Sequence, residues 1–196
     1  IQNIDGWERF IRRMYNKRYK FYITGSNSSM LSKELGTRLT GRFIQAELYP
    51  FSFSEFLVYH GLKKPVNNVI LAPERAQIRQ AFSMYLKSGG IPEYLIYRNE
   101  LILKTLYENI LYKDILVRYG LNDEKALKEL SLYLFSNYAT EISYNKLRRS
   151  VDLGSVNTVK NYIGYLENSY LTFTVPKYAY SLKKQMYAAK KAYAVD

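Results

Sequence analysis

The stretch YITGSNSSMLSKELGTRLTGR at residues 22–42 carries the side chains best suited to chemistry on a phosphate group. Its polar turn places Ser26 and Asn27 directly after an aromatic, β-branched run, where a hydroxyl or amide can hold an attacking water or contact a terminal phosphate. Arg38 and Arg42 follow, and guanidinium groups stabilise the charge of a phosphate in transfer, within one subunit or across a subunit boundary. These side chains together indicate a site for a phosphorylated ligand.

Two strands and a helix are expected to position this turn. YKFYIT at 19–24 is short and rich in aromatic and β-branched residues, and FIQAELY at 43–49 alternates apolar and polar residues up to Pro50, so both predict strands. Ligands of open α/β sheets bind beyond the carboxyl ends of the strands, which is where the turn would lie. An amphipathic helix precedes the first strand, with an apolar face formed by Trp7, Phe10, Ile11 and Met14.

The middle of the chain is predicted to be helical. Ser52, with Glu55 three residues later, forms a capping-box pattern that opens one helix. Another helix begins near Pro73 and stops at the glycine pair 89–90, and a long one covers about 100–118.

The last third of the chain has the clearest local pattern. Helices are predicted over about 123–138, 144–151 and 156–170, and Ser143 and Ser155 cap the second and third of them. LTFTVPKY and KKAYAVD then predict two strands around the basic loop SLKKQMYAAKK. Three helices followed by a two-stranded ribbon are typical of a winged helix-turn-helix.

Such a domain would offer a polar and basic surface to double-stranded DNA. The third helix buries Val156, Val159, Ile163 and Leu166 and leaves short polar and basic side chains, Thr158 among them, on its outer face for the groove. Arginines of the preceding helix and lysines of the wing reach phosphates. The candidate DNA-binding residues are Arg148, Arg149, Asn157, Lys160, Asn161, Lys183, Lys184, Lys190 and Lys191. The alternative is a winged helix that binds protein or only orients its neighbours.

Composition agrees with an anionic partner. Across 196 residues, 29 Lys and Arg stand against 17 Asp and Glu, and a net charge of +12 favours nucleic acid, nucleotide phosphates or an acidic surface. A lysine- and tyrosine-rich proteome is the alternative explanation, and the Lys, Tyr and Ile bias suggests a thermophilic archaeon. With no cysteine and the single His60, the sequence excludes disulfides, thiolate metal sites and histidine-based metal sites or triads, so no metal site is expected.

Several blocks of the sequence, taken in order, resemble a known family. YITGSNSSMLSKELGTRLTGRF, LYPFSFSEFL, SGGIPEYL, YKDILVRYG and ISYNKLRRSV…NTVKNYIGYLENSYL are similar to archaeal and bacterial AAA-type P-loop ATPases. In that family an ATPase core precedes a winged helix and a restriction-endonuclease-like domain. IQNIDGW resembles the residues after the Walker B acidic pair, and KKAYAVD resembles the first strand of the nuclease-like domain.

The resemblance implies roles for the residues named first. Ser26 or Asn27 matches the sensor-1 position, and Arg42 of the Gly-Arg pair matches the arginine finger, with Arg38 as second choice. A structural ion pair, with Glu47 or Glu55, is the alternative for Arg42. The GGxP block, with Gly89, Gly90 and Pro92, is interpreted as a conformational turn, and Asp196 receives no role.

The chain also departs from the family. No G-x-x-x-x-G-K-[ST] occurs, and no Asp-Glu pair follows an apolar strand, so ATP and Mg²⁺ are expected as cofactors of a longer parent protein and none is expected for this chain alone. We expect the chain to be the middle of that protein and inactive by itself. An incomplete sheet would expose apolar edges, which predicts self-association as a homo-oligomer, or rearrangement of residues 1–50.

The expected fold is mainly α with small β. Residues 1–60 would be the C-terminal part of a P-loop ATPase core, 61–120 a helical lid or linker, and 121–196 a winged helix-turn-helix with the start of a further domain. We expect a cytoplasmic, ATP-hydrolysing, DNA-associated parent with no membrane contact, because no apolar run of 18 residues and no signal peptide occur. The alternative function is a non-catalytic winged-helix regulator that binds DNA or protein.

Overall fold

The computed structural model describes residues 6–25, 43–62 and 72–196. Within these ranges the chain is mainly helical, with one small antiparallel sheet. The α-helices are α1 (Trp7–Asn16), α2 (Phe53–Tyr59), α3 (Ala72–Ser88), α4 (Pro92–Tyr97), α5 (Glu100–Asn109), α6 (Glu124–Ser136), α7 (Tyr144–Ser150), α8 (Val156–Asn168) and α9 (Leu182–Tyr187). A π-helix covers Ile110–Val117, and the strands are β1 (Glu141–Ile142), β2 (Thr172–Pro176) and β3 (Lys190–Ala194).

The described N-terminal part contains the expected helix but not the expected strands. Helix α1 buries Trp7 and Ile11 against Phe21 and Ile23. Residues 19–25 and 43–49 have no regular secondary structure, so the prediction of two strands is wrong for this structure. A strand needs a hydrogen-bonded neighbour, and the only sheet in the described ranges is formed by β1, β2 and β3. As a result, the alternating apolar residues of the second segment lie in solvent, with Ile44 98% exposed.

Helices α2, α3 and α4 pack around a small aromatic-rich core. Ser52 caps α2 as predicted: its hydroxyl accepts from the Glu55 backbone N–H, and the Glu55 carboxylate accepts from the Ser52 backbone N–H at 2.8 Å. The residues buried here are Phe56, Leu57, Ala81 and Leu95. The capping box thus fixes the direction in which α2 enters this core.

The predicted helix over about 100–118 is present, but its second half is wound as a π-helix. The backbone passes from α5 into the π-helix without a break and ends at Gly120, as expected. Arg118 donates to the Asp114 carboxylate at 2.7 Å within this segment. Runs of π-helix are rare and cannot be recognised from apolar periodicity, because that periodicity does not encode the wider turn.

The C-terminal part contains the main core and the sheet. Helices α6, α7 and α8 come first, and β2 and β3 follow as an antiparallel pair, in the predicted order of elements. The short β1 before α7 was not predicted; it pairs with β3, so the strand order is β1-β3-β2. The segment expected to be a basic loop contains helix α9. The fully buried side chains at the centre include Leu127, Leu130, Leu147, Val159 and Leu166.

Candidate nucleic-acid interface

The candidate catalytic residues lie outside the described part of the chain. Ser26, Asn27, Arg38 and Arg42 all fall between residues 25 and 43, so their roles stay predictions. The nine candidate DNA-binding residues are all described, and the interface can be built from them.

Helix α8 has a buried apolar face and an exposed polar face, as a helix that enters a DNA groove requires. The Ser155 hydroxyl caps its N-terminus by accepting from the Thr158 backbone N–H at 3.0 Å. Of the predicted apolar stripe, Val159, Ile163 and Leu166 are buried, whereas Val156 is only partly buried. Asn157, Lys160 and Asn161 are exposed on the other side. The helix therefore keeps short polar and basic side chains accessible while its apolar stripe holds it to the core.

Two side chains on α8 were assigned less accurately from the sequence. Tyr162 is buried, with its pKa raised by burial, although it was not counted in the apolar stripe. Thr158 was placed on the outer face, but it is partly buried and its hydroxyl lies 2.9 Å from the Ser155 hydroxyl. A threonine used in the helix cap is a poor candidate for a base contact, because its hydroxyl already has a partner.

Lys160 is held over an aromatic ring. Its Nζ lies 5.4 Å from the centre of the Tyr144 ring, close enough for a cation–π interaction. Tyr144 opens helix α7 and is partly buried, and burial, followed by the nearby charge of Glu167, raises its pKa. The structure thus brings Lys160 to the start of α7, whereas Arg148 (partly buried) and Arg149 (exposed) lie in the last turn of that helix.

The four wing lysines lie on two different elements. Lys183 and Lys184 lie exposed on α9, while Lys190 and Lys191 begin β3. Successive residues of a strand point to opposite faces of the sheet, so Lys190 shares the face of buried Ala192 and Lys191 lies on the outer face. Of the last pair, Lys191 is exposed and Lys190 is partly buried, and the DNA-binding role of both stays a prediction.

The C-terminal end of α8 is fixed to β2 by a single carboxylate. Glu167 Oε1 accepts from the Thr174 backbone N–H at 2.8 Å and from the Thr174 hydroxyl at 2.7 Å. An acid near a helix C-terminus opposes the helix dipole, and these two hydrogen bonds offset that effect. Glu167 thus ties the end of α8 to strand β2.

Sequence reasoning missed two contacts that join this interface to the rest of the chain. Tyr170, which follows α8 with φ 55°, donates its hydroxyl to Glu47 at 3.2 Å, and its ring packs on Tyr49 with centres 5.7 Å apart. Asp196 Oδ1 accepts from the Gly90 backbone N–H at 2.7 Å. No local pattern marks the first contact, but a Gly-Gly pair signals close approach by another group and could have indicated the second.

The described residues contain no cluster of metal-ligating side chains, and no helix among them is long and apolar enough to cross a bilayer. No group of three or more His, Asp or Glu side chains lies together in residues 6–25, 43–62 and 72–196.

Comparison with known proteins divides the chain in two. Residues 1–57 match the family described as AAA domain, which supports a relationship to AAA-like P-loop ATPases. An uncharacterized protein of Methanocaldococcus jannaschii is 32% identical and one of Haemophilus influenzae 29% identical; the matches cover all of this chain and 45% and 49% of those proteins. The chain thus spans about half the length of these relatives, and no solved structure matches it. Residues 79–196 match the family described as Domain of unknown function (DUF8612), and because this match covers more than half of the chain, the chain belongs to that family.

Proposed function

We propose that residues 121–196 form a winged helix-turn-helix that binds double-stranded DNA within an ATP-hydrolysing protein of the AAA type. Helix α8 is the recognition helix in this proposal, α7 precedes it, and β2 and β3 form the wing. The strand order β1-β3-β2, with a strand between the first two helices, supports this assignment.

One observation carries the DNA part of the proposal. Asn157, Lys160 and Asn161 are exposed together on α8, on a helix whose opposite side packs into the main core. Amide side chains hydrogen-bond to base edges and lysines reach guanine edges or phosphates, so the helix carries the residue types that a major groove accepts. From residue 140 to 196, nine basic residues face four acids, which favours phosphate contacts around the helix.

The ATPase part of the proposal rests on the similarity of residues 1–57 to the AAA domain. Ser26 or Asn27 acts as sensor 1, Arg42 as the arginine finger, with Arg38 as second candidate, and ATP and Mg²⁺ bind through a part of the longer protein that carries the P-loop. An ATPase assay on that longer protein tests these roles. Arg42→Ala should lower turnover by about a thousandfold, in the range that such arginines contribute, and a much smaller loss in Arg38→Ala would exclude the second candidate.

The contact of Tyr170 with Glu47 and Tyr49 supports a link between the two activities. It joins the turn after the recognition helix to a segment inside the AAA-like match. In this proposal, DNA bound on α8 influences the ATPase part through Tyr170, which lies in the turn directly after that helix. Within the proposal, residues 1–60 belong to the ATPase core and 61–120 to the connecting helical part.

Binding of labelled duplex DNA across a salt series tests the DNA part. The wild-type chain should lose affinity steeply with salt, because phosphate contacts release counterions. Changing Lys160, Lys183, Lys184, Lys190 and Lys191 to Ala should weaken binding and flatten that slope. The matched control changes five exposed lysines elsewhere, with the same loss of charge, and should keep the wild-type slope: Lys17, Lys20, Lys87, Lys104 and Lys113.

The control decides how the result is interpreted. If both five-lysine variants lose affinity equally, net charge and not the winged helix attracts DNA. If the wild-type chain binds duplex DNA weakly and both variants match it, the winged helix is a protein-binding or spacer module and the DNA proposal is wrong.

A further inference from the structure

We propose that the wing binds unpaired bases beside the duplex held by α8, so that the preferred ligand is a junction of double- and single-stranded DNA. This inference rests on the function proposed above. It concerns the wing surface, defined as the exposed side chains of Phe173, Val175, Tyr178, Tyr180, Met186 and Tyr187.

The wing surface consists of large side chains that lie outside the buried core. Tyr180 is 98% exposed, Tyr187 84% and Met186 78%, although tyrosine and methionine normally bury most of their surface. Exposed large apolar groups grouped in one segment mark a binding surface more often than a structural one. The exposure of these side chains therefore favours a role in binding a ligand.

The charge around the wing surface selects an anionic occupant. Residues 168–195 contain five lysines, no arginine and no acid. Lys183 and Lys184 lie on the same short helix as Met186 and Tyr187, and Lys191 lies opposite Val175 on the outer face of the sheet. Aromatic rings mixed with lysines match a strand of nucleic acid, whose phosphates and bases alternate.

The geometry of the rings favours unpaired bases over an intact duplex. In a duplex the faces of the bases are stacked on each other, and only their edges can be reached. Unpaired bases expose their faces, and tyrosine rings stack on them without regard to sequence. Tyr178 and Tyr180 lie with ring centres 5.6 Å apart and at 67° to each other, so both rings can receive a base from different directions.

An anionic membrane is the main competing occupant, and the arrangement is less suited to it. Helices that lie in a bilayer surface carry their apolar residues along one long face. Here the exposed rings are divided among strand β2, the loop after it and the six-residue helix α9.

A fluorescence experiment with 2-aminopurine tests the proposal on the full chain. The probe is placed as the first unpaired base of a forked DNA, and a blunt duplex of the same sequence is the reference. Wild-type protein should bind the fork about tenfold more tightly than the duplex and change the probe fluorescence by stacking. Changing Tyr178, Tyr180 and Tyr187 to Ala should abolish both the preference and the signal, whereas changing them to Phe, which keeps the rings, should preserve both.

A second triple variant controls for loss of surface tyrosines in general. Tyr22, Tyr97 and Tyr138 are exposed outside the wing, and changing them to Ala should leave the fork preference intact. If the wild type binds fork and duplex equally with no probe signal, the inference is wrong while the proposed duplex binding stands. If no DNA binds at all, the proposed function fails with it.

A vesicle arm completes the test. Wild-type protein is sedimented with phosphatidylserine-containing vesicles and with neutral ones. The inference would be overturned in favour of a membrane surface by two results together. The wild type, but not the Tyr→Ala variant, would bind the anionic vesicles, and adding wild-type protein would leave the 2-aminopurine fluorescence unchanged. Absence of such binding, with the fork preference present, supports it.

Discussion

Gly90 donates its backbone N–H to the side-chain Oδ1 of Asp196 at 2.7 Å, across a separation of 106 residues. The Gly90 carbonyl in turn accepts from the Phe51 backbone N–H at 2.8 Å, and the Tyr85 hydroxyl donates to the Phe51 carbonyl at the same distance. The glycine turn before α4 is thus bound from one side by the segment preceding α2 and from the other by the residue that follows the sheet. The interpretation of this block as a mere conformational turn, and of Asp196 as a residue without a role, was therefore incomplete.

Removing the Asp196 carboxylate should loosen this turn. In Asp196→Ala the Gly90 N–H loses its acceptor, and we expect about 1 kcal/mol less stability, at the low end for an unsatisfied donor because part of the residue faces solvent. Hydrogen exchange of the Gly90 amide should accelerate. Asp196→Asn keeps a carbonyl oxygen and should protect the amide almost as well as the wild type. Equal exchange in the Ala variant and the wild type would show that the contact contributes nothing in solution.

The two glycines of the turn should respond differently to alanine. A Cβ on Gly90 would lie 2.1 Å from the Phe51 carbonyl oxygen, which is backbone and cannot move alone, so Gly90→Ala should break the pairing and destabilise the protein by several kcal/mol. At Gly89 the nearest atom is the Asp196 Oδ2 at 2.5 Å, which a side-chain rotation can relieve, although φ of 65° leaves a strain of about 1 kcal/mol or more. Urea unfolding of the two variants measures the difference. Gly89→Ala as damaging as Gly90→Ala would contradict this explanation.

The C-terminal helices and strands could be predicted from the sequence because local signals specify them. Ser143 and Ser155 cap α7 and α8 as expected, and the strands β2 and β3 fall within the predicted runs. Short-range periodicity and capping were sufficient here. The strands expected at 19–24 and 43–49 show the limit of this approach: alternation describes a strand that fits a sheet, but it does not supply the neighbouring strand.

The candidate interface was predictable in part for the same reason. Exposure of Asn157, Lys160 and Asn161 follows from helical periodicity. The direction of Lys190 does not follow from composition, because it depends on where β3 begins and which face is buried. The contacts of Asp196 with Gly90 and of Tyr170 with Glu47 join residues more than 100 positions apart. The Gly-Gly pair signals a close approach at Gly90, but no local pattern identifies the partner residue in either contact.

Leu130 should be among the most sensitive positions of the main core. Its side chain is fully buried on α6, so Leu130→Ala should cost about 2–5 kcal/mol through lost burial and the cavity left behind. Leu132 on the same helix is 56% exposed, and Leu132→Ala should cost under about 0.5 kcal/mol. Chemical denaturation of both variants measures this. Similar losses at the two positions would mean that α6 does not pack through the face described.

Glu167 should stabilise the protein through the hydrogen bonds it accepts from Thr174 and not through its charge. In Glu167→Ala the Thr174 N–H and hydroxyl lose their acceptor, and we expect about 1–3 kcal/mol less stability. Glu167→Gln keeps a carbonyl oxygen that can accept from both donors, because both bind the same oxygen of Glu167, and it should cost less. Thermal unfolding compares the variants. If Gln is as damaging as Ala, charge is what matters and the hydrogen-bond argument is wrong.

Two carboxylates should give opposite pH dependences in acid. The Lys128 ammonium, at 2.9 Å, and the Tyr112 hydroxyl both donate to Glu124 and lower its pKa below the ordinary 4.5. The contribution of Glu124 to stability is therefore present above pH 4.5 and is lost as the pH falls through the folded-state pKa. Burial raises the pKa of Asp196 above 3.8, against the opposing effect of the backbone N–H groups of Gly90 and Ile91. The folded protein then binds the proton more readily than the unfolded chain, so the Asp196 contribution falls as the pH rises from 3.8 through the raised pKa.

The measurement is the stability of each variant minus that of the wild type as a function of pH. Glu124→Gln should be destabilising at neutral pH and should approach the wild type on acidification, because the wild type then loses its charged hydrogen bonds. The stability of Asp196→Asn relative to the wild type should be highest at neutral pH, because the variant avoids the cost of a partly buried charge. That advantage should disappear on acidification, as Asp196 of the wild type becomes protonated. Curves with the same slope for both variants would mean that the hydrogen bonds from Gly90 and Ile91 outweigh burial and lower the pKa of Asp196, which would contradict the sign argued here.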